Sequence, residues 1–138
     1  MARIYLDACV FISYTKEEFG WNIRGLFVEA QRFFGLVAQK KHTIVLSGFF
    51  FHEVENVARV KRADVIQMLE KIGVQMELIP ETDRLHISPY TSLGVPREDA
   101  MHVALACIAK CDMIVTFNIK DFRPAEKYIS IREPSTLT

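Results

Sequence analysis

Asp7, Glu53, Asp99 and Asp121 are spread over most of a 138-residue chain, and an open parallel sheet would gather all four acids into one cleft. Asp7 ends the apolar run Ile4-Tyr5-Leu6, and Asp121 lies just beyond Met113-Ile114-Val115-Thr116. Each therefore falls where a buried strand hands over to a loop, and ligands of open α/β sheets collect beyond the carboxyl ends of the strands. Grouped carboxylates suit Mg2+ or Mn2+, hard cations that prefer oxygen ligands and retain several waters. Without a cation, the acids repel one another and their pKa values rise. In phosphodiester cleavage one ion can generate hydroxide and a second can stabilise the leaving oxygen, the two lying roughly 3.5 to 4 Å apart. The pattern points to nuclease chemistry.

Each acid also has a plainer role open to it. Asp7 can cap a turn or helix. Asp99, like Glu98 beside it, suits the positive end of a helix macrodipole. His102 is three residues on from Asp99, so the two share a helix face, an unusual polar stripe on an otherwise apolar segment. It serves equally well as a satisfied core histidine. Within Phe49-Phe50-Phe51-His52-Glu53-Val54-Glu55, an inward arc of Phe50, Val54 and Val57 leaves Glu53 and Glu55 on opposite flanks, and helical geometry alone does not choose between them. His52 points away from that arc. Ser47 and Thr116 offer hydroxyls that orient ligands or water, or simply bond the strand ends. Asp121 can equally cap the turn before Phe122 and Pro124.

The elements that would position these groups alternate between strand and helix. Strands are expected at Ile4–Leu6, which reads as buried, and at Thr43–Leu46, Met76–Ile79 and Met113–Thr116, with a last short one at Tyr128–Ile131. Ile23, Leu26, Phe27, Ala30, Phe34 and Val37 form the stripe of a helix from about Ile23 to Gln39. Further helices are expected at about Phe49–Arg59, Ala63–Ile72 and Glu98–Lys110, the last apolar on nearly every side as in an interior helix. Thr82 is a candidate cap for another helix extending toward Ser92, before the loop Gly94-Val95-Pro96. Alternation of this kind implies a parallel sheet with helices on both faces, a single three-layer α/β/α domain over residues 1–132. Residues 133–138 read as a polar C-terminal tail. The stretch Phe19-Gly20-Trp21 is a candidate loop bordering the site or a partner surface.

Composition narrows the class. Half of the residues are hydrophobic and 11% aromatic, which supports a packed core and excludes a disordered chain. Seventeen basic residues balance seventeen acidic ones, so any nucleic-acid binding is local or metal-mediated rather than driven by a positive field. Three cysteines without close metal-ligand spacing fit reduced interior thiols better than disulfides or a zinc site. No secretory signal or membrane-spanning apolar run is visible, and a cytoplasmic location without membrane association is expected.

Taken together, the acid-bearing segments resemble the PIN-domain nucleases over nearly the whole chain. Ile4-Tyr5-Leu6-Asp7, followed by Ala8-Cys9-Val10-Phe11-Ile12, is similar to the family's first strand with its acid. Ser47 with Glu53-Val54 six residues on is similar to the second motif, which favours Glu53 over Glu55. Asp99-Ala100-Met101-His102-Val103-Ala104-Leu105-Ala106 and Val115-Thr116-Phe117-Asn118-Ile119-Lys120-Asp121-Phe122 resemble the third and fourth. The chain is close in length to VapC-type toxins, the small single-domain members.

The resemblance implies a metal-dependent endoribonuclease, the toxin of a toxin-antitoxin pair. It further implies an RNA substrate, water as nucleophile, a 5′-phosphate product, a cognate antitoxin partner and a homodimer. Asp7, Glu53, Asp99 and Asp121 would be the catalytic and metal-binding residues, supported by Ser47, His102, Thr116 and Asn118. One position departs from the pattern. Many relatives carry an acid where this chain has Asn118, so Asp121 must supply the fourth carboxylate. The same amide and the zero net charge keep a non-catalytic PIN-like RNA-binding or scaffold protein as the alternative. A phosphotransfer enzyme with Asp7 as nucleophile is disfavoured, because Cys9 stands where the haloacid-dehalogenase type has a second aspartate.

Overall fold

The computed structural model describes residues 1–15, 20–80 and 85–137, with residues 20–25 as backbone only. The chain runs β1 (Arg3–Leu6), α1 (Ala8–Thr15), α2 (Gly20–Gln39), β2 (Thr43–Ser47), α3 (Gly48–Ala58) and α4 (Arg62–Ile72). It continues through β3 (Gln75–Ile79), α5 (Ser88–Thr91), α6 (Arg97–Ile108), β4 (Met113–Val115), α7 (Ile119–Phe122) and β5 (Ser130–Arg132). The five strands form one sheet in the order β3-β2-β1-β4-β5, and every pairing is parallel. The order reverses between β1 and β4, which is where an open α/β sheet opens its crevice.

Parallel strands covered on both faces read as continuous apolar runs, and their alternation divides the interior in two. Ile4, Leu6, Ile44, Leu46 and Val115 face one core, completed by Phe11, Phe34, Phe50, Val54 and Leu69 from α1 to α4. Tyr5, Val45 and Ile114 face the other, completed by Ala100, Val103 and Ala106 of α6 with Phe122 and Ile129. The expected three layers are therefore present. Aromatic rings bind the first core together: Phe11 meets Phe34 and Phe50 edge-on at 6.3 and 6.1 Å, and Tyr14 stacks on Phe27 at 5.9 Å. Each such ring removed from water contributes roughly 1.5–3 kcal/mol.

Several elements differ from the expectations. The whole of α1 was unforeseen, since Ala8–Thr15 is apolar almost all round and shows no helical alternation of polar and apolar residues. Gly20 and Trp21 belong to the start of α2, whereas Phe19 and Thr82 lie outside the described residues. The helix expected to reach Ser92 is a single turn, Ser88–Thr91, with Pro89 within its opening turn. The last strand begins two residues later than expected, at Ser130. On α3, Val57 is 56% exposed and Phe51 takes its place in the buried arc. The terminal segment also packs more closely than a polar tail would. Pro134 is buried and Leu137 rests against the first core beside α2.

Candidate metal centre

The sheet register explains how the site assembles. Tyr5 pairs with Val45 on one side and Ile114 on the other; two residues further along each strand come Asp7, Ser47 and Thr116, side by side at the carboxyl ends of β1, β2 and β4. All three are buried polar residues in an apolar interior, Asp7 at 7% exposure and the hydroxyls at 0%. Such groups must be bonded to one another or to neighbours. Thr116 Oγ1 donates to Asp7 Oδ2 at 2.7 Å and accepts the Asn118 backbone N–H at 2.9 Å. The Cys9 thiol donates to the same Asp7 oxygen at 3.2 Å. Burial, then the Asp7 charge, pushes that thiol well above its ordinary range, so it stays protonated and acts as a donor rather than a nucleophile.

Ser47 caps α3. Its Oγ accepts the Phe50 N–H at 3.1 Å, which satisfies one of the orphan donors of the first turn and fixes where Glu53 leaves the helix. Glu53 is half-buried and bonded to His102 Nε2, while Glu55 and His52 are exposed. Of the two acids that helical geometry left open, Glu53 is the one the fold brings beside Asp7 and His102. His102, 1% exposed, projects from α6 between the acids, its Nε2 bonded to Glu53 and 3.8 Å from Asp7 Oδ1. Among the described residues, Asp7, Glu53 and His102 form the group whose ligand atoms all lie within 4.8 Å of one another.

Asp99 and Asp121 fall outside that tightest group but share its field. Burial, then the charge of Asp7, raises the Asp99 pKa to about 6, with Asp121 and Glu53 adding to the rise and His102 opposing it. Asp121, in α7, accepts a hydrogen bond from Asn118 Nδ2 at 2.8 Å. The amide therefore holds the fourth acid rather than replacing it. Asp7, Glu53 and Asp121 all lie within electrostatic reach of Asp99; carboxylates are hard oxygen donors, and repulsion of this kind is what a divalent cation relieves. The donor set fits Mg2+ or Mn2+, with one imidazole nitrogen within reach.

One contributor went unnoticed in the sequence. The Tyr5 hydroxyl lies 2.8 Å from Ser47 Oγ and 2.6 Å from His102 Nδ1, tying β1, β2 and α6 together beneath the acids. The available signal was a phenol in the middle of a buried strand, since a buried tyrosine hydroxyl must find a partner. Burial drives the Tyr5 pKa far upward, so the phenol is neutral and keeps its proton to donate.

Comparison with known proteins agrees with this geometry. No curated protein matches the chain. The PIN domain family model matches residues 3–120, a span that includes Asp7, Glu53, Asp99 and His102 and stops one residue before Asp121. With the match covering most of the sequence and the acids gathered at the strand ends, the chain belongs to the PIN domain family.

Proposed function

We propose that the protein is a metal-dependent endoribonuclease that hydrolyses RNA phosphodiester bonds and acts as the toxin of a type II toxin-antitoxin pair. The observation that carries the reading is the gathering of acids around Asp7, where burial first and then the charges of Asp7, Asp121 and Glu53 bring Asp99 to about 6. Asp7, Glu53, Asp99 and Asp121 would hold Mg2+ or Mn2+, which when bound supplies Lewis acidity toward a phosphodiester oxygen and toward water. Thr116 and Cys9 fix the orientation of the Asp7 carboxylate, His102 fixes Glu53, and Asn118 fixes Asp121. Asp99, raised to about 6 by burial first and by the neighbouring charges second, is the acid whose charged form a bound cation would favour most. The toxin role, the antitoxin partner, the homodimer and the cytoplasmic location rest on the sequence resemblance. Among the described residues no helix is long and apolar enough to cross a membrane.

A second reading has one observation in its favour. The Asn118 amide engages an Asp121 oxygen at the position where relatives often offer another acid, which weakens the case for a second ion and suits an RNA-binding or scaffold protein. Cleavage of structured and unstructured RNAs in Mg2+ or Mn2+, measured against chelator, separates the two. Cleavage should stop in chelator, and Asp7→Asn or Asp99→Asn should lose at least about 100-fold in rate, in line with removal of a group that organises the reacting charge, with the circular dichroism spectrum unchanged. RNA binding without metal-dependent cleavage would favour the scaffold. Growth arrest on induction, relieved by the neighbouring reading frame, would distinguish a toxin from a housekeeping nuclease.

A further inference from the structure

The hydrogen atoms of the chain that runs beneath the acids can be assigned by counting donors and acceptors. Ser47 Oγ accepts the Phe50 N–H and keeps a second lone pair, so across the 2.8 Å to Tyr5 either hydroxyl can donate and the direction follows the ring. With a neutral ring the Glu53 carboxylate calls for Nε2–H, which leaves Nδ1 to accept the Tyr5 hydrogen at 2.6 Å and Tyr5 to accept from Ser47. A bare Nε2 would instead set its lone pair against the lone pairs of the Glu53 carboxylate. A fully protonated ring reverses the two hydroxyls, with Nδ1–H donating to Tyr5 and Tyr5 to Ser47, but it still leaves a proton on Nε2. Among the described residues no buried side-chain nitrogen or oxygen lacks a partner, and both ring nitrogens of His102 are engaged. Phe49 lies against the imidazole with centroids 4.7 Å apart, and Tyr5 meets it edge-on at 5.4 Å.

We infer that His102 is a positioning residue and not a metal ligand: its Nε2–H holds Glu53 in place for the cation, while Tyr5 and Ser47 hold the ring from behind. The nitrogen lies within ligand distance of Asp7 and Glu53, yet its lone pair is already committed to a proton. The consequence for the cation rests on the metal reading above; the state of the ring does not. With His102 as a donor, the centre presents oxygen alone and favours Mg2+ or Mn2+. With His102 as a ligand it would add an imidazole nitrogen to the carboxylates, which shifts the preference toward zinc, nickel or iron.

Long-range proton–nitrogen correlation spectra of 15N-histidine-labelled full-length protein, metal-free and then with Mg2+, read the ring directly. Nε2 should carry a proton in both conditions, whether the ring is neutral or cationic. A bare Nε2 in the metal-free protein, or loss of its proton on adding Mg2+, would overturn the inference. Two variants test the role through Mn2+ affinity, followed by electron paramagnetic resonance. His102→Leu should weaken Mn2+ binding by roughly 10- to 100-fold, the usual cost of losing a partner that orients a ligand. His102→Gln should recover most of that loss, because its carbonyl accepts from Tyr5 and its amide donates to Glu53. Equal losses in the two variants would mark His102 as a ligand. A wild-type protein that binds no Mn2+ while Nε2 stays protonated would sink the metal reading and leave the donor assignment standing.

Discussion

At Asp99 two effects of opposite sign meet. Its place in the first turn of α6 favours the charged form by about 0.3–1 kcal/mol, whereas burial and the Asp7, Asp121 and Glu53 charges favour the acid, and these prevail because the pKa rises from 3.8 to about 6. The folded pKa is above the unfolded one, so between about pH 4 and pH 6 the native state binds more protons than the unfolded chain. This contribution to stability is fully present below that window and is lost as pH rises through it. In chelator at pH 7, Asp99→Asn should therefore melt higher than the wild type, by on the order of 1 kcal/mol once solvent screening of a half-exposed group is allowed for. The difference should shrink toward pH 4, and a variant less stable than wild type at pH 7 would contradict it. Asn118 and Asp121 make a second residue-scale case. Asp121→Asn should weaken Mn2+ binding more than Asn118→Ala, because the first removes a charge and the second only the donor that orients it. Asn118→Asp places two carboxylates at hydrogen-bond distance, which should raise the demand for a cation and tighten Mn2+ binding. A wild-type Mn2+ midpoint in Asp121→Asn would reduce the site to three carboxylates. Acids just beyond the strand ends could be singled out in the sequence, but Glu53 could not be separated from Glu55 by helical spacing. Only the α3 cap and the reach of His102 across from α6 decide between them.

Helices long enough to show a periodic or uniformly buried face were recovered from sequence to within a few residues, as α2, α4 and α6 show. The eight residues of α1 were not, because a short segment without a polar face gives neither a period of 3.6 nor one of 2. The strands had the opposite problem. The central strands β1, β2 and β4 were visible as apolar runs, but burial on both faces concealed which residue looks to which layer, and so concealed that Tyr5, Asp7, Ser47 and Thr116 share one side of the sheet. The junction of β2 and α3 shows what this arrangement contributes energetically. Ser47 ends the strand, caps the helix and supports Tyr5 with one hydroxyl. Ser47→Ala should cost about 1–2 kcal/mol, the usual loss for an N-cap with a second buried partner left short of a bond. Urea denaturation would measure it, and the Phe50 amide should exchange faster with deuterium. Unchanged stability together with unchanged exchange at Phe50 would show that the cap contributes nothing.

For the molecule as a whole, the balance of seventeen basic and seventeen acidic residues sets how it can meet a polyanion. A protein that grips RNA through a basic track releases counterions, and its affinity falls with salt at a logarithmic slope of about 0.7 for each phosphate neutralised on a single strand. Here the candidate centre is itself a cluster of acids, so on the proposed function a bound cation would supply much of the positive charge that faces the phosphate. The expectation is weak binding of a cleavage-resistant RNA in chelator, with a slope no steeper than about 2, which corresponds to roughly three phosphates. Adding Mg2+ should strengthen binding several-fold without steepening the slope. Asp7→Asn should abolish that gain while leaving the chelator affinity unchanged or slightly improved, since it removes a negative charge from the phosphate's path. Tight binding in chelator with a steep slope would instead locate RNA recognition on a basic surface away from the acids, and the carboxylate centre would then have no part in holding the substrate.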